Sequence, residues 1–392
     1  MTGIGSVQIF VLIDALGWVF IQDRDFASDV LPYRRPLRTV LGYSSGAIPT
    51  ILTGRVPAEH GHWNLYYLDP VASPFRWLRP FAFLPDALIN HRMTRRVVKE
   101  IGRRALGLGP LFDVCMNPRF LPWFNWVEKR NIYAPGGVAG GSIFDELGRQ
   151  QTRHRVYSYH QFTDREILDR AQQDLARGET GFVFLYLSEM DRFLHGHCDP
   201  DAELDRQLDW YAARLRAVFA RAREVDPDAS FTVLSDHGMT PVRQTFNLVA
   251  EIERLRLTMP DDYLAVYDST MARFWFFSDR GRRAITECLG SISCGRILGD
   301  AELRDLGILF PDRRYGELVF LLEPGWLIGG SDFNGHGWTP AGMHGYHPDD
   351  RYSDGIFLSS RQPTTDVCSI ADVYAVMLAA AQATGGQGKI SR

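Results

Sequence analysis

The chain has 392 residues, 45% of them hydrophobic, and a formal net charge of −4. That length and apolar share fit one large catalytic domain with an insertion, or two domains, and exclude any global pull toward nucleic acid or anionic membrane, so such attraction has to be local. The five cysteines (Cys115, Cys198, Cys288, Cys294 and Cys368) form no CxxC pair, which argues against a disulfide framework or a cysteine zinc cluster and for a reduced, cytoplasmic setting.

Residues 7–13 (VQIFVLI) are nearly all apolar and rich in β-branched side chains, as in strands buried on both faces. The run has no basic segment before it and leads straight to Asp14, so it reads as a core strand rather than a signal peptide. Residues 46–53 read as the start of a helix with Ser44 beside it. Residues 63–135 change character. They are dense in aromatics, from Trp63 and Phe75 to Trp126, around a basic run at 91–104 (HRMTRRVVKEIGRR). This stretch reads as an inserted cap, bounded by glycine pairs at 136–137 and 140–141, with 1–62 and 136–392 as the catalytic core. Residues 181–187 (GFVFLYL) and 230–234 (SFTVL) predict two more core strands. Between them Leu204, Leu208, Tyr211, Leu215, Val218 and Ala222 recur at helical spacing, with Asp199-Pro200 as the start signal. Strands are expected within 262–278 and 316–322, and a closing helix at 370–383. No stretch reaches the length of a membrane span.

Each of the three core strands ends in a polar cluster: Asp14, then Ser188-Glu189-Met190-Asp191, then Ser235-Asp236-His237-Gly238. In open α/β sheets ligands bind outside the carboxyl ends of the strands, so the three clusters are positioned to converge. Asp191 and His195 are four apart and share a helical face. His344 lies in GMHGYHP, a glycine-containing loop that lets backbone approach a site. Asp and His from several segments suit divalent metal ions. Each feature alone also fits a helix cap, a solvated face or a turn. Order and spacing together carry the reading.

SDHGM at 235–239 resembles the metal-binding signature of nucleotide pyrophosphatase/phosphodiesterase-type enzymes of the alkaline phosphatase superfamily. YSSGAIPTILTGRVPAEHG at 43–61 resembles their nucleophile segment, in which the nucleophile stands nine positions before the Thr of a Thr-Gly pair. Nine positions before Thr53 stands Ser44, with Ser45 as the rival. MHGYHP at 343–348 resembles the late His-Gly-Tyr metal motif. The chain departs from the diesterase pattern in having Ser where Thr is usual, and in Asn64, one position off the expected phosphate-binding Asn. The sulfatase Cys/Ser-x-Pro-x-Arg pattern does not occur at Ser44.

The resemblance implies a three-layer α/β fold with a largely parallel sheet. It implies one metal site of Asp14, Ser44, Asp236 and His237, and another of Asp191, His195 and His344, with His336 and His347 as rivals of His344. Two zinc ions suit that ligand set, with manganese or magnesium as alternatives. The implied activity is cleavage of a phosphodiester or pyrophosphate through a phosphoseryl intermediate on Ser44, with Asn64 binding substrate. The alternatives are a phosphomonoesterase, a phosphotransferase, and a catalytically silent binding protein. A small-molecule or lipid-like phosphate ester is the expected substrate, and no nucleic-acid partner is expected. The 63–135 segment has three readings: a cap with its own core, a lid for an amphiphilic ester, or a peripheral membrane contact.

Overall fold

A computed structural model describes residues 6–109, 112–114, 116–158, 161–178, 181–332 and 339–385. The central sheet has six strands in the order Tyr33–Leu37, Gly355–Ser359, Ser230–Leu234, Gln8–Ile13, Phe182–Leu187 and His154–Tyr157. The last four run parallel, and Gly355–Ser359 runs antiparallel to both its neighbours. The three expected core strands are the three central, adjacent ones. Their unbroken apolar character follows from burial on both sides. Ile9, Val11 and Ile13 enter one core, and Phe10 and Leu12 enter the other.

Helices cover each face, which makes three layers. Asp164–Ala176 and Ala202–Val225 pack on one side, through Ile167, Leu168, Leu204, Leu208 and Leu215. Ser44–Thr53, Ile143–Arg149 and the closing helix Val373–Gly385 pack on the other. The 202–225 helix starts two residues later than Asp199-Pro200 signals. Its cap is Asp201, whose side chain accepts from the backbone N–H of Glu203 and Leu204. Asp199 is spent instead on an ion pair with Arg243.

A second sheet, wholly antiparallel, orders Tyr263–Tyr267, Met271–Phe276, Leu318–Leu322 and Gly295–Ile297. One face of it packs with helices Leu248–Glu253 and Asp279–Gly290. Its other face, with Leu264, Val266 and Trp275, meets the 63–135 segment. There the strand pair Tyr66–Leu68 and Phe124–Trp126 and the basic helix Arg92–Arg104 bury Phe75, Val98, Phe112 and Trp126. Most buried aromatics of this segment therefore form a core shared with the second sheet, not one closed on itself, and Tyr133 joins the core of the central sheet. Among the described residues, no helix is long and apolar enough to cross a membrane.

Candidate metal centre

Register brings the strand-end residues together. Ile13 pairs with Leu187, and Leu12 with Leu234, so the three central strands stop at one level. Asp14 follows directly. Ala15 then adopts a left-handed conformation, φ 62°, and turns its N–H to Asp236 Oδ1 at 3.3 Å. Strain of this kind persists where the surroundings over-determine it, as at functional sites. After Phe182–Leu187 the chain enters helix Glu189–Gly196, which presents Asp191 and His195 from successive turns. The start of that helix is held by buried Asp164, which accepts from the Ser188 and Glu189 N–H groups and from the Tyr211 hydroxyl.

Two groups of three result. Asp14, Asp236 and His237 form one, all buried; Asp191, His195 and His344 form the other. Within each group the candidate ligand atoms lie within 4.8 Å of one another. Asp191 Oδ1 is 3.4 Å from His195 Nε2 and 3.5 Å from His344 Nε2. His237 Nε2 is 3.2 Å from Asp236 Oδ2 and 3.6 Å from Asp14 Oδ1. Ligands about 2.0–2.1 Å from a tetrahedral ion stand roughly 3.3 Å apart, so these spacings match the edges of a zinc-type coordination shell. Asp191 Oδ1 and Asp236 Oδ2 are buried and have no hydrogen-bond partner among the described residues. Buried polar atoms are ordinarily satisfied, so a cation is the partner this donor set fits.

The imidazoles are oriented for it. His195 Nδ1 donates to the Gly342 carbonyl at 2.8 Å and His237 Nδ1 to the Gly238 carbonyl at 2.9 Å, which turns each Nε2 lone pair inward. His344 and His237 stack with ring centroids 3.9 Å apart. Burial, then the neighbouring His237 and His195, hold His344 well below the usual histidine range. Burial, then Asp236 and Asp191, push Asp14 well above the usual carboxylate range, although Tyr186 donates its hydroxyl to Asp14 Oδ2. Crowded carboxyls beside an imidazole held neutral at His344 favour a shared positive charge.

Ser44 completes the first group. Its Oγ is 2.9 Å from His237 Nε2 and 3.5 Å from Asp14 Oδ1. The N-cap of its helix is Tyr43, so the Ser44 hydroxyl is not used for capping. Ser45, the rival, is buried and donates to the Trp63 carbonyl at 2.8 Å. Asn64 stands apart from both groups. It is fully buried, and its amide donates to Asp268 Oδ2 at 3.2 Å. His347 lies outside both groups, beside Glu302 and Asp349, and His336 lies outside the described residues.

Two cavities meet at Ser44. One, about 240 Å³, holds Asp14, Tyr43, Asp191, Arg192, His195, Asp268 and His344 in its wall. The other, about 340 Å³, is walled by Ile48, Lys129, Arg130, Ile132 and Tyr133 among others. Ser44, Glu128 and Tyr186 line both. Burial raises Glu128 to about 7. Sequence reasoning missed Tyr186, Glu128, Arg192 and Asp268. Tyr186 carried a faint signal, a hydroxyl within an apolar run. The other three carried none.

The sequence profile described as type I phosphodiesterase/nucleotide pyrophosphatase matches residues 43–347. The chain belongs to the type I phosphodiesterase/nucleotide pyrophosphatase family. It is therefore a member of the alkaline phosphatase superfamily. Murine ectonucleotide pyrophosphatase/phosphodiesterase 5 superposes with a TM-score of 0.66 at 14% identity, over 95% of this chain and 93% of the other. An inactive variant of that murine protein in complex with AMP gives 0.67 at 14% identity, over 96% and 95%. The human counterpart gives 0.66 at 12% identity, over 95% and 93%. At such identity the likeness is one of fold. No curated protein matches the chain.

Proposed function

We propose that the chain is a two-metal phosphodiesterase or pyrophosphatase that uses Ser44 as nucleophile. The observation behind this is the position of Ser44 Oγ, against His237 Nε2 and Asp14 and at the junction of the two cavities. Asp14, Asp236 and His237 with Ser44 are suited to hold one divalent ion, and Asp191, His195 and His344 a second. Zinc suits the donors, with manganese or magnesium as alternatives. Such ions, when bound, supply Lewis acidity at the serine hydroxyl and neutralise charge on the phosphoryl oxygens.

Ser44 Oγ forms the new bond to phosphorus as the bond to the leaving oxygen breaks. Water then opens the phosphoseryl ester and returns the hydroxyl to Ser44. The N-terminus of helix Ser44–Thr53 offers backbone N–H groups to the phosphoryl oxygens. Asn64 serves substrate placement through Asp268, whose carboxyl lines the site. The 63–135 segment, taken as a cap on the core formed by 1–62 and 136–392, brings Glu128, Lys129 and Arg130 to the larger cavity. With Ile132, Tyr133 and Tyr186 this suits an ester bearing a ring, and the AMP complex of the murine relative supports a nucleotide-like one.

A second reading, a phosphomonoesterase, is favoured by Arg192 in the wall of the smaller cavity, since a monoester carries an extra negative charge. The test is metal analysis with hydrolysis of bis(nitrophenyl) phosphate and nitrophenyl phosphate. Wild type is expected to bind two ions and prefer the diester. Ser44→Ala is expected to keep the metal and lose at least about a thousandfold in turnover. Preference for the monoester would install the second reading. Metal-loaded protein that cleaves neither ester would sink the enzymatic one.

A further inference from the structure

Among the described residues, the exposed side of the 63–135 segment joins an excess of large open apolar side chains with an excess of cations. Val71, Phe81, Phe83, Leu88, Met93 and Val97 are each between 46% and 81% exposed, and Trp77 joins them at 36%. Among the other described residues only Val225 and Phe277 are large, apolar and comparably open. This is not a failure to fold. The same segment buries Phe75, Leu78, Val98 and Phe112 against Trp126 and Trp275. Its inner side chains are satisfied, and a set of large apolar side chains remains open to solvent.

That exposed side is also cationic. Residues 76–104 carry eight Lys and Arg against two Asp and Glu, within a chain of net charge −4. On helix Arg92–Arg104, Val98 and Gly102 point inward. Arg92, Met93, Arg96, Val97, Arg103 and Arg104 are exposed and lie on adjoining outer stripes. Arg92, Arg96 and Arg103 have no acidic partner among the described residues, whereas Lys99 and Arg104 are paired with Asp113 and Glu100. The corner before the helix is fixed: the Thr94 hydroxyl donates to the Leu88 carbonyl at 2.7 Å, and the His91 side chain accepts from the Met93 N–H. Leu88 and Met93 are thus held beside the basic stripe.

We infer that this face docks on an anionic lipid surface, with the apolar side chains entering the interface and the arginines meeting lipid phosphates. Large apolar residues beside a cluster of unpaired cations give the two attractions that interfacial binding needs. Nucleic acid would use the cations and could stack on the phenylalanines, but it offers nothing to Val71, Leu88, Met93 and Val97. This inference is independent of the catalytic reading.

The test is co-sedimentation of the full chain with vesicles of phosphatidylcholine alone or mixed with phosphatidylglycerol. Binding is expected only to the mixed vesicles and is lost at high salt. The Arg92→Gln/Arg96→Gln/Arg103→Gln and Phe81→Ser/Phe83→Ser variants are each expected to bind about tenfold more weakly or worse. Both are expected to retain the wild-type melting temperature and hydrolysis of a soluble nitrophenyl ester. Single variants, Arg96→Gln and Phe83→Ser, serve if a multiple variant melts early. No binding to mixed vesicles, or equal binding by the variants, overturns the inference. So does tighter binding to a DNA duplex at the same salt, or a self-association that Phe83→Ser abolishes.

Discussion

Ser44 owes its aim to its neighbours. Tyr43 takes the capping position, and the Tyr43 ring is anchored by its hydroxyl, which accepts from the Thr270 N–H at 3.1 Å. Behind the helix the proton positions can be assigned. The His62 N–H donates to His60 Nδ1 at 3.2 Å, so His60 Nε2 carries the proton and donates to Thr50 Oγ at 3.0 Å. Thr50 in turn donates to the Gly46 carbonyl at 2.9 Å. Burial, then His62 and Arg55, lower His60 to about 3. The unfolded chain therefore takes up this proton first as pH falls. Stability is full above the ordinary histidine value and is lost as pH drops from there toward 3, by about 1.4 kcal/mol per pH unit for this group. His60→Asn is expected to flatten the slope of unfolding free energy by about that amount between pH 6 and 4, as read from urea titrations at stepped pH. Parallel slopes for the two proteins would refute the assignment.

The basic helix shows how a local preference is overruled by packing. Gly102 sits inside Arg92–Arg104, where alanine would gain about 1 kcal/mol of helix propensity. A Cβ there would meet Phe112 Cε1 at 2.3 Å. Phe112 cannot yield readily, since it stacks on Phe75 at 5.4 Å and meets Trp126 edge-on at 5.2 Å. Overpacking of about 1–3 kcal/mol should exceed the propensity gain, so Gly102→Ala is expected to lower the melting temperature. A rise would show that the ring gives way. The strands were the most legible elements. Residues 7–13, 181–187 and 230–234 are read correctly because burial on both faces removes polar alternation. The start of the 202–225 helix was less legible, because Asp199 carries a start signal in sequence but pairs with Arg243, and Asp201 accepts the capping hydrogen bonds instead.

At the scale of the whole molecule, a buried ion pair within the second sheet's first hairpin holds Asp268 in the wall of the site. Arg273 is fully buried, and its Nε donates to Asp268 Oδ2 at 2.7 Å. It also donates to the Tyr66 carbonyl at 2.8 Å and lies within 6 Å of the Trp63, Trp275 and Tyr315 rings. Arg273→Met would leave the buried Asp268 carboxylate without its cation, at a cost of about 3–5 kcal/mol. Arg273→Met/Asp268→Asn is expected to recover part of that loss in chemical denaturation. A double variant no better than the single one would mean that the arginine acts through packing alone.

By itself the sequence determined the three-layer class, the family, and the six Asp and His side chains that gather in two groups, because each is placed by a strand end or a short motif whose chemistry is local. Only the tertiary structure decided the rest. It engaged the Ser45 hydroxyl with the Trp63 carbonyl and the Asn64 amide with Asp268, and put Tyr186, Glu128, Arg192 and Asp268 around the cavities, since those contacts join segments tens to hundreds of residues apart. It also divided the aromatics of 63–135 into a buried face and an exposed one, because composition counts side chains but does not say which of them a neighbouring sheet will cover.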